Sequence, residues 1–245
     1  MLSNFRDILI KKLGNYFLII SCDSSGAIGP KNGDFLKVNG EILGKYMVRS
    51  ALMEILSVKA KPICISCGLG VEPEPTGESI IKGIKEEMIK VGLNPNEDLV
   101  ISTEKNFPTN QTGLGITAIG FASKKDLLIG KSKKNDLIIS IGLPSVGKEV
   151  LENKDSIVDI DDVLTLLSMD FIHGIIPVGS KGILYEANIL ARESNLKLRL
   201  FNDIKLDLKK SAGPSTVILV TLREKYIDII KSKIKKPIHK IATLI

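Results

Sequence analysis

Apolar and polar positions along the chain follow two rhythms. Short runs rich in Ile, Val and Leu, bounded by Gly, Pro or charged residues, predict strands at Tyr16–Cys22, Phe35–Val38, Pro62–Cys67, Leu99–Ser102, Gly115–Phe121, Leu137–Ile141, Thr216–Val220 and Lys240–Leu244. Longer amphipathic segments predict helices at Glu41–Val58, Glu78–Val91, Ile160–Met169, Lys181–Ser194 and Leu222–Lys235. In the second of these, Ile80, Ile81, Ile84, Met88 and Val91 recur at helical spacing with polar residues between them. Ser180 is placed to cap the fourth. The alternation is that of a two-domain chain, an N-terminal α/β domain over residues 1–134 and a compact C-terminal α+β domain over residues 135–245, with the Lys-rich stretch Ser123–Asn135 as the boundary. There is no internal repeat and no low-complexity tract.

Composition narrows the function classes. With 44% hydrophobic and 25% charged residues over 245 positions, the chain has ample material for a buried core. The net charge of +6 comes largely from C-terminal lysines, Lys225, Lys231, Lys233, Lys235, Lys236 and Lys240, which read as solvated helix faces. Aromatic residues are only 4% of the chain, so the basic face interleaved with aromatics that nucleic acid requires is not expected. No apolar run reaches bilayer length, and Arg6, Asp7, Lys11 and Lys12 interrupt the N-terminus, so a cytoplasmic location without membrane partners is expected. Three cysteines are too few for a disulfide scaffold. The C-x-x-C at Cys64 and Cys67 lies in an expected strand, where positions three apart face opposite ways, so buried structural cysteines are the expectation.

The segment Tyr16 to Lys31 concentrates the candidate chemistry. An apolar strand ends in the acid Asp23, followed by the small residues Ser24, Ser25, Gly26, Ala27 and Gly29, with Lys31, Asp34 and Lys37 close behind. Small residues let backbone N–H groups approach phosphate oxygens, and a carboxylate at a strand end can hold a divalent cation; an ordinary Gly-rich turn is the plainer alternative. Glu54 sits among aliphatic residues in Ala51-Leu-Met-Glu-Ile-Leu56, either at the helix rim with Arg49 as partner or beside a bound cation. Glu104 lies just past another strand. Asp23, Glu54 and Glu104 together suit Mg²⁺, which takes a few carboxylates plus water and phosphate oxygens. Gly142-Leu-Pro-Ser-Val-Gly-Lys148 nearly spells a P-loop, but Glu149 stands where a Mg²⁺-binding hydroxyl belongs. With only His173 and His239, a histidine metal cluster is not expected, and no nucleophile-elbow pattern accompanies His173; Asp170 reads as its helix-end partner.

In order, these segments resemble the ATP-binding superfamily of aminoimidazole ribonucleotide synthetase, with its thiamine-monophosphate kinase-like members. Ser21-Cys22-Asp23 resembles the family's Thr-Thr-Asp strand end, and Met53-Glu54 leading to Ala60-Lys61-Pro62 is similar to its Ser-Asp helix motif, with Glu for Asp. Ser102-Thr103-Glu104-Lys105 occupies the place of Gly-Gly-Asp-Thr, and Asn135-Asp136 through Gly142 looks like the entry to the second domain; an earlier acid of the family falls at Asp7. Within the superfamily, Asp23 to Gly29, Ala51 to Glu54 and Ser102 to Phe107 look like the α-ribazole kinases of cobalamin salvage. The chain departs from the pattern at Ser180-Lys181-Gly182, where the family carries Ser-Asp-Gly, and it lacks the synthetase's Asp-Gly-Val-Gly-Thr-Lys loop.

The resemblance implies a synthetase-like fold whose N-terminal sheets pair across a homodimer, with ATP near the subunit interface. The implied reaction is phosphoryl transfer from Mg-ATP to a small nucleoside-like acceptor, in its sharpest form the 5′-hydroxyl of α-ribazole. Asp23, Glu54 and Glu104 would be Mg²⁺ ligands. The backbone around Ser24, Ser25, Gly26 and Gly29 would cradle phosphates, and Lys31 and Lys37 would neutralise charge. Asn106, Asn110 and Gln111 would meet the acceptor, and Asp34 would orient the attacking hydroxyl. Two other readings stand beside it: an ATP-dependent ligase or dehydratase that phosphorylates an oxygen transiently, and an ATP-binding regulator without chemistry, motivated by Lys181.

Overall fold

The computed structural model describes residues 6–245, which divide into two compact units. One comprises Asp7–Ile55 and Ala60–Lys124; the other comprises Arg6, Leu56–Lys59 and Lys125–Ile245.

In chain order the first unit contains β1 (Ile8–Leu13), β2 (Tyr16–Gly26), the two-residue strands β3 (Ile28–Gly29) and β4 (Leu36–Lys37), helix α1 (Gly40–Ser57, its last residues passing into the other unit), β5 (Lys61–Leu69), helix α2 (Glu78–Lys90), β6 (Leu99–Thr103) and β7 (Gly113–Ser123). Its five-stranded sheet has the order β1-β2-β7-β5-β6, with β5 and β6 parallel and the other neighbours antiparallel. The pleat sorts side chains by parity. On β2 the odd residues Ile19 and Ser21 are buried, and on β7 the even residues Leu114, Ile116 and Ala118 are. α1 covers this inner face. The Ser21 hydroxyl donates to the Ala51 carbonyl at 2.7 Å, and a Cβ on Gly120 would meet the Ile55 side chain at 2.5 Å. α2 lies against α1 where Gly44 and Gly83 let the backbones touch; a Cβ on either would stand 2.0 Å from a carbonyl oxygen of the other helix. Beside that crossing, the fully buried Glu87 is held by Arg49 and by the Lys90 ammonium at 2.9 Å. Burial raises the Glu87 pKa, and the Arg49 charge and hydrogen bond outweigh it, so the carboxyl titrates below its ordinary range. Arg49 is therefore Glu87's partner.

The second unit contains β8 (Leu137–Gly142), α3 (Glu149–Glu152), α4 (Ile160–Leu167), β9 (Ile172–Val178), α5 (Gly182–Glu193), β10 (Leu198–Leu200), β11 (Val217–Leu222), α6 (Ile227–Lys233) and β12 (Ile238–Leu244). Its sheet runs β10-β12-β8-β11-β9, antiparallel throughout. β8 and β11, buried at every position, are continuous apolar runs as central strands covered on both faces must be.

Mixed α/β architecture is as expected, and several local expectations are corrected. β2 extends to Gly26, so Ser24, Ser25 and Gly26 are strand and not loop. β1, β9 and β10 were not anticipated from sequence. The final expected helix begins at Ile227, because Leu222 completes β11 and a 3₁₀ turn at Glu224–Tyr226 intervenes. α5 is preceded by Lys181 at its N-cap with no side-chain cap, so Ser180 does not cap it. The near-P-loop leads only to the four-residue α3, and the Glu149 carboxylate there accepts from the Val146 N–H and pairs with Lys210 at 2.9 Å. Asp170 is not the partner of His173; the buried Asp136 is, at 2.7 Å.

Candidate functional site

Register sets Ser25 and Glu104 at one end of the first unit's sheet, but β7 and β5 lie between the strand of Asp23 and that of Glu104. Ser25 on β2 stands opposite Leu114 on β7, which stands opposite Leu69 on β5, which stands opposite Thr103 on β6. Glu104 begins the chain beyond that row, its N–H donating to the Leu69 and Val71 carbonyls at 3.0 Å each. Asp23 lies two residues back from Ser25 and therefore on the same, inner face. Among the described residues β1 pairs with β2 as far as Ser21, and Cys22 to Gly26 pair with β7.

Asp23 is half-buried. Its carboxylate accepts the Ser24 N–H at 2.8 Å and a hydrogen bond from Ser50 on α1. Burial pushes its pKa upward, and these two hydrogen bonds only partly oppose the shift. A carboxylate in that position gains from a cation beside it. Glu54 follows Ser50 by four positions on α1 and so shares its side of the helix, half-buried between the fully buried Met53 and Ile55. Glu104 is occupied differently: one oxygen accepts the N–H groups of Asn106 at 2.7 Å and Phe107 at 3.1 Å. Those backbone donors hold its pKa below the ordinary value. Among the described residues no three of His, Cys, Asp and Glu form a cluster able to hold a metal by themselves.

Two loops meet beside this end of the sheet, residues 27–39 and 104–112. Ala27 N–H donates to the Thr112 carbonyl at 2.9 Å, Gly33 N–H to the Asn110 carbonyl at 2.9 Å, and Gln111 Nε2 to the Gly33 carbonyl at 2.7 Å. Asp34, 6% exposed, is the organiser of the pair. Its oxygens accept the Lys31 N–H (2.8 Å), the Thr112 N–H (2.6 Å) and the Thr112 hydroxyl (2.7 Å). Gly29 is buried in the same junction at φ +150°, and a Cβ there would stand 2.5 Å from Thr112 Oγ1. Gly29 thus permits close loop packing, and Asp34 and Gln111 have loop-building partners in place.

The basic residues are also engaged. The Lys31 ammonium pairs with Glu72 just past β5, and the Lys37 ammonium donates to the Lys31 carbonyl. Glu72 also accepts from the Thr76 hydroxyl. Burial raises the Glu72 pKa, but hydrogen bonds from Lys31 and Thr76 and the Lys31 charge overcome it and hold the pKa at about 2. Glu72, Thr112 and the exposed rings Phe35 (93%) and Phe107 (75%) were missed by sequence reasoning. Only the large aromatic residues in polar loops gave a signal.

No family model and no curated protein matches the chain. Solved structures do match. A thiamine-monophosphate kinase from Stenotrophomonas maltophilia K279a is similar over 97% of this chain and 88% of its own, at 15% identity and a TM-score of 0.64. Hydrogenase maturation protein HypE in complex with ATP is similar over 93% and 76%, at 17% identity and a TM-score of 0.64. PurL from T. maritima, complexed with ADP, matches 98% of this chain and 42% of its own, at 16% identity and a TM-score of 0.63. The chain therefore has the mixed α/β fold shared by thiamine-monophosphate kinase, HypE and PurL, the fold that its resemblance to aminoimidazole ribonucleotide synthetase-related proteins implied.

Proposed function

We propose that this chain is an ATP-dependent kinase that transfers a phosphoryl group from Mg-ATP to a small nucleoside-like acceptor, and that the acceptor is the 5′-hydroxyl of α-ribazole, as in cobalamin salvage. The observation that carries the reading is the acid-rich end of the first unit's sheet, on a fold also seen in ATP- and ADP-bound proteins. Asp23, Asp34, Glu72 and Glu104 outnumber Lys31, Lys37 and Lys105 there. Such a surface repels bare triphosphate and accepts it with a divalent cation.

The donor set fits Mg²⁺ of the kind that keeps waters and phosphate oxygens as ligands. Asp23 and Glu54 would hold it, and the ion would neutralise charge on the transferring phosphoryl group. Glu104 and Asp34 keep the two loops in shape, and Lys31, restrained by Glu72, presents a fixed positive charge. The backbone edge of Ser24 to Gly26 would face phosphate oxygens, and Asn106, Asn110 and the exposed Phe35 and Phe107 would meet the acceptor. The chemistry needs placement and charge neutralisation more than a strong base. Incubation with Mg-ATP and α-ribazole, followed by chromatography, is expected to yield equal amounts of ADP and α-ribazole 5′-phosphate. ADP without a stable phosphorylated product would favour a ligase or dehydratase, and binding without turnover would favour a regulator.

The same reading includes a homodimer. The outer face of the first unit's sheet exposes Leu9, Leu13, Tyr16, Val100 and Phe121, with Tyr16 and Phe121 in edge-to-face contact at 5.8 Å. An apolar sheet face of this kind invites a second copy. Light scattering is expected to give the mass of a dimer, and Tyr16→Asp with Val100→Asp is expected to give a folded monomer. A monomeric wild-type chain at micromolar concentration would remove the dimer from the proposal.

A further inference from the structure

The second unit carries a cleft of about 470 Å³ that none of the roles above uses, lined by Lys133, Asp170, Phe171, His173, Arg223, Lys225 and Tyr226. It opens where β9 begins and β11 ends. Its base is built on Asp136, which is wholly buried at the head of β8. The Asp136 carboxylate accepts the Lys133 N–H at 2.6 Å, meets His173 Nδ1 at 2.7 Å and pairs with Arg223 Nε at 3.3 Å. A second bond, from Arg223 Nη1 to the Lys134 carbonyl at 2.6 Å, fixes the guanidinium. Tyr226 is stacked on Phe171 at 4.3 Å, and the Lys225 ammonium lies 4.9 Å over the Tyr226 ring.

Asp136 pairs with Arg223 at the base and Asp170 is the acid at the wall, so the three cations Lys133, Arg223 and Lys225 leave the cleft net positive. Asp170 also borders a second cavity of about 240 Å³ to which Lys59, Lys125 and Lys131 contribute, with Asp126. The positive field thus extends beyond the cleft. His173 donates Nδ1–H to Asp136, which leaves Nε2 to accept from a protonated phosphate oxygen or, in the imidazolium form, to donate to an anionic one. A guanidinium pinned in place, two ammoniums and an oriented imidazole around one concavity are the recognition elements for a multivalent oxyanion.

We propose that this cleft binds a phosphorylated small molecule, its phosphate between Lys133, Arg223, Lys225 and His173. The inference is independent of the kinase reading, because none of its residues was given a part in that chemistry.

Proton NMR of the full chain tests it, since the two histidines, His173 and His239, give two imidazole signals. His239→Gln identifies the signal of His173. Inorganic pyrophosphate and adenosine monophosphate serve as probes, and the tighter of the two shows whether free phosphate or a phosphate ester is preferred. The His173 signal is expected to move saturably at physiological ionic strength while that of His239 stays. Lys133→Gln and Lys225→Gln, which leave the Asp136 pairings in place, are each expected to weaken binding by roughly tenfold. A His173 signal unmoved by either probe in folded protein would overturn the proposal. So would a shift that both lysine variants leave unchanged.

Discussion

Asp23→Asn is expected to lower the proposed phosphoryl transfer by about 10²–10³-fold, the scale on which one electrostatic element of a transition-state site is lost. The same variant is expected to keep or slightly raise thermal stability, because burial already penalises the charge at this position. The asparagine carbonyl can still accept from the Ser24 N–H, so local geometry is retained. This opposition of activity and stability separates a functional carboxylate from a structural one. Glu104→Gln gives the contrast: its side chain organises the turn through the N–H groups of Asn106 and Phe107, which a glutamine oxygen also accepts, so a much smaller loss is expected. Steady-state kinetics over a magnesium series, with Tm measured alongside, checks both variants. Wild-type turnover and an unchanged magnesium requirement in Asp23→Asn would remove Asp23 from the site.

Arg6→Ala is expected to destabilise the second unit by about 3–5 kcal/mol, the cost of leaving one member of a buried ion pair alone. The Arg6 and Glu193 side chains are 2% and 3% exposed, and the pairing is two-pronged, at 2.7 and 2.9 Å. Arg6 Nη1 also reaches the Ile175 carbonyl at 2.7 Å and the Ser57 hydroxyl at 3.2 Å. The substitution strands a buried carboxylate and opens a void, and a fall in Tm of ~10 °C or more follows from that size of change. Arg6→Met with Glu193→Met tests the cause, since an apolar pair of similar volume recovers most of the loss if the stranded charge is responsible. A single variant that melts with the wild type would show the pair to be energetically silent.

Much of the fold was legible from position-by-position pattern. Short apolar runs at Tyr16–Cys22 and Gly115–Phe121 identified two sheet strands, and the apolar spacing from Ile80 to Met88 identified α2, because run length and helical spacing record what a segment buries. β9 escaped because Gly174 and Pro177 interrupt its apolar run; it is an edge strand, where a missing N–H need not break a ladder. The sheet's right to extend β2 through Ser24, Ser25 and Gly26 came from β7, whose residues Gly113 to Gly115 lie opposite.

For the candidate site, sequence by itself ended the strand at Asp23, whereas β2 runs on to Gly26; it determined that Glu104 follows a strand end and that small and basic residues follow Asp23. Those are properties of neighbouring residues, and local spacing records them. Which partner each side chain takes was decided only in three dimensions. Lys31 meets Glu72 across 41 residues, Asp34 meets Thr112 across 78, and Asp136 meets His173 across 37. Charge and hydrogen-bonding capacity are written in the residue types, but the pairing of groups so far apart depends on strand register and loop packing. That is why candidate acids and cations could be nominated in advance, while the division between groups that hold the loops and groups open to a ligand could not.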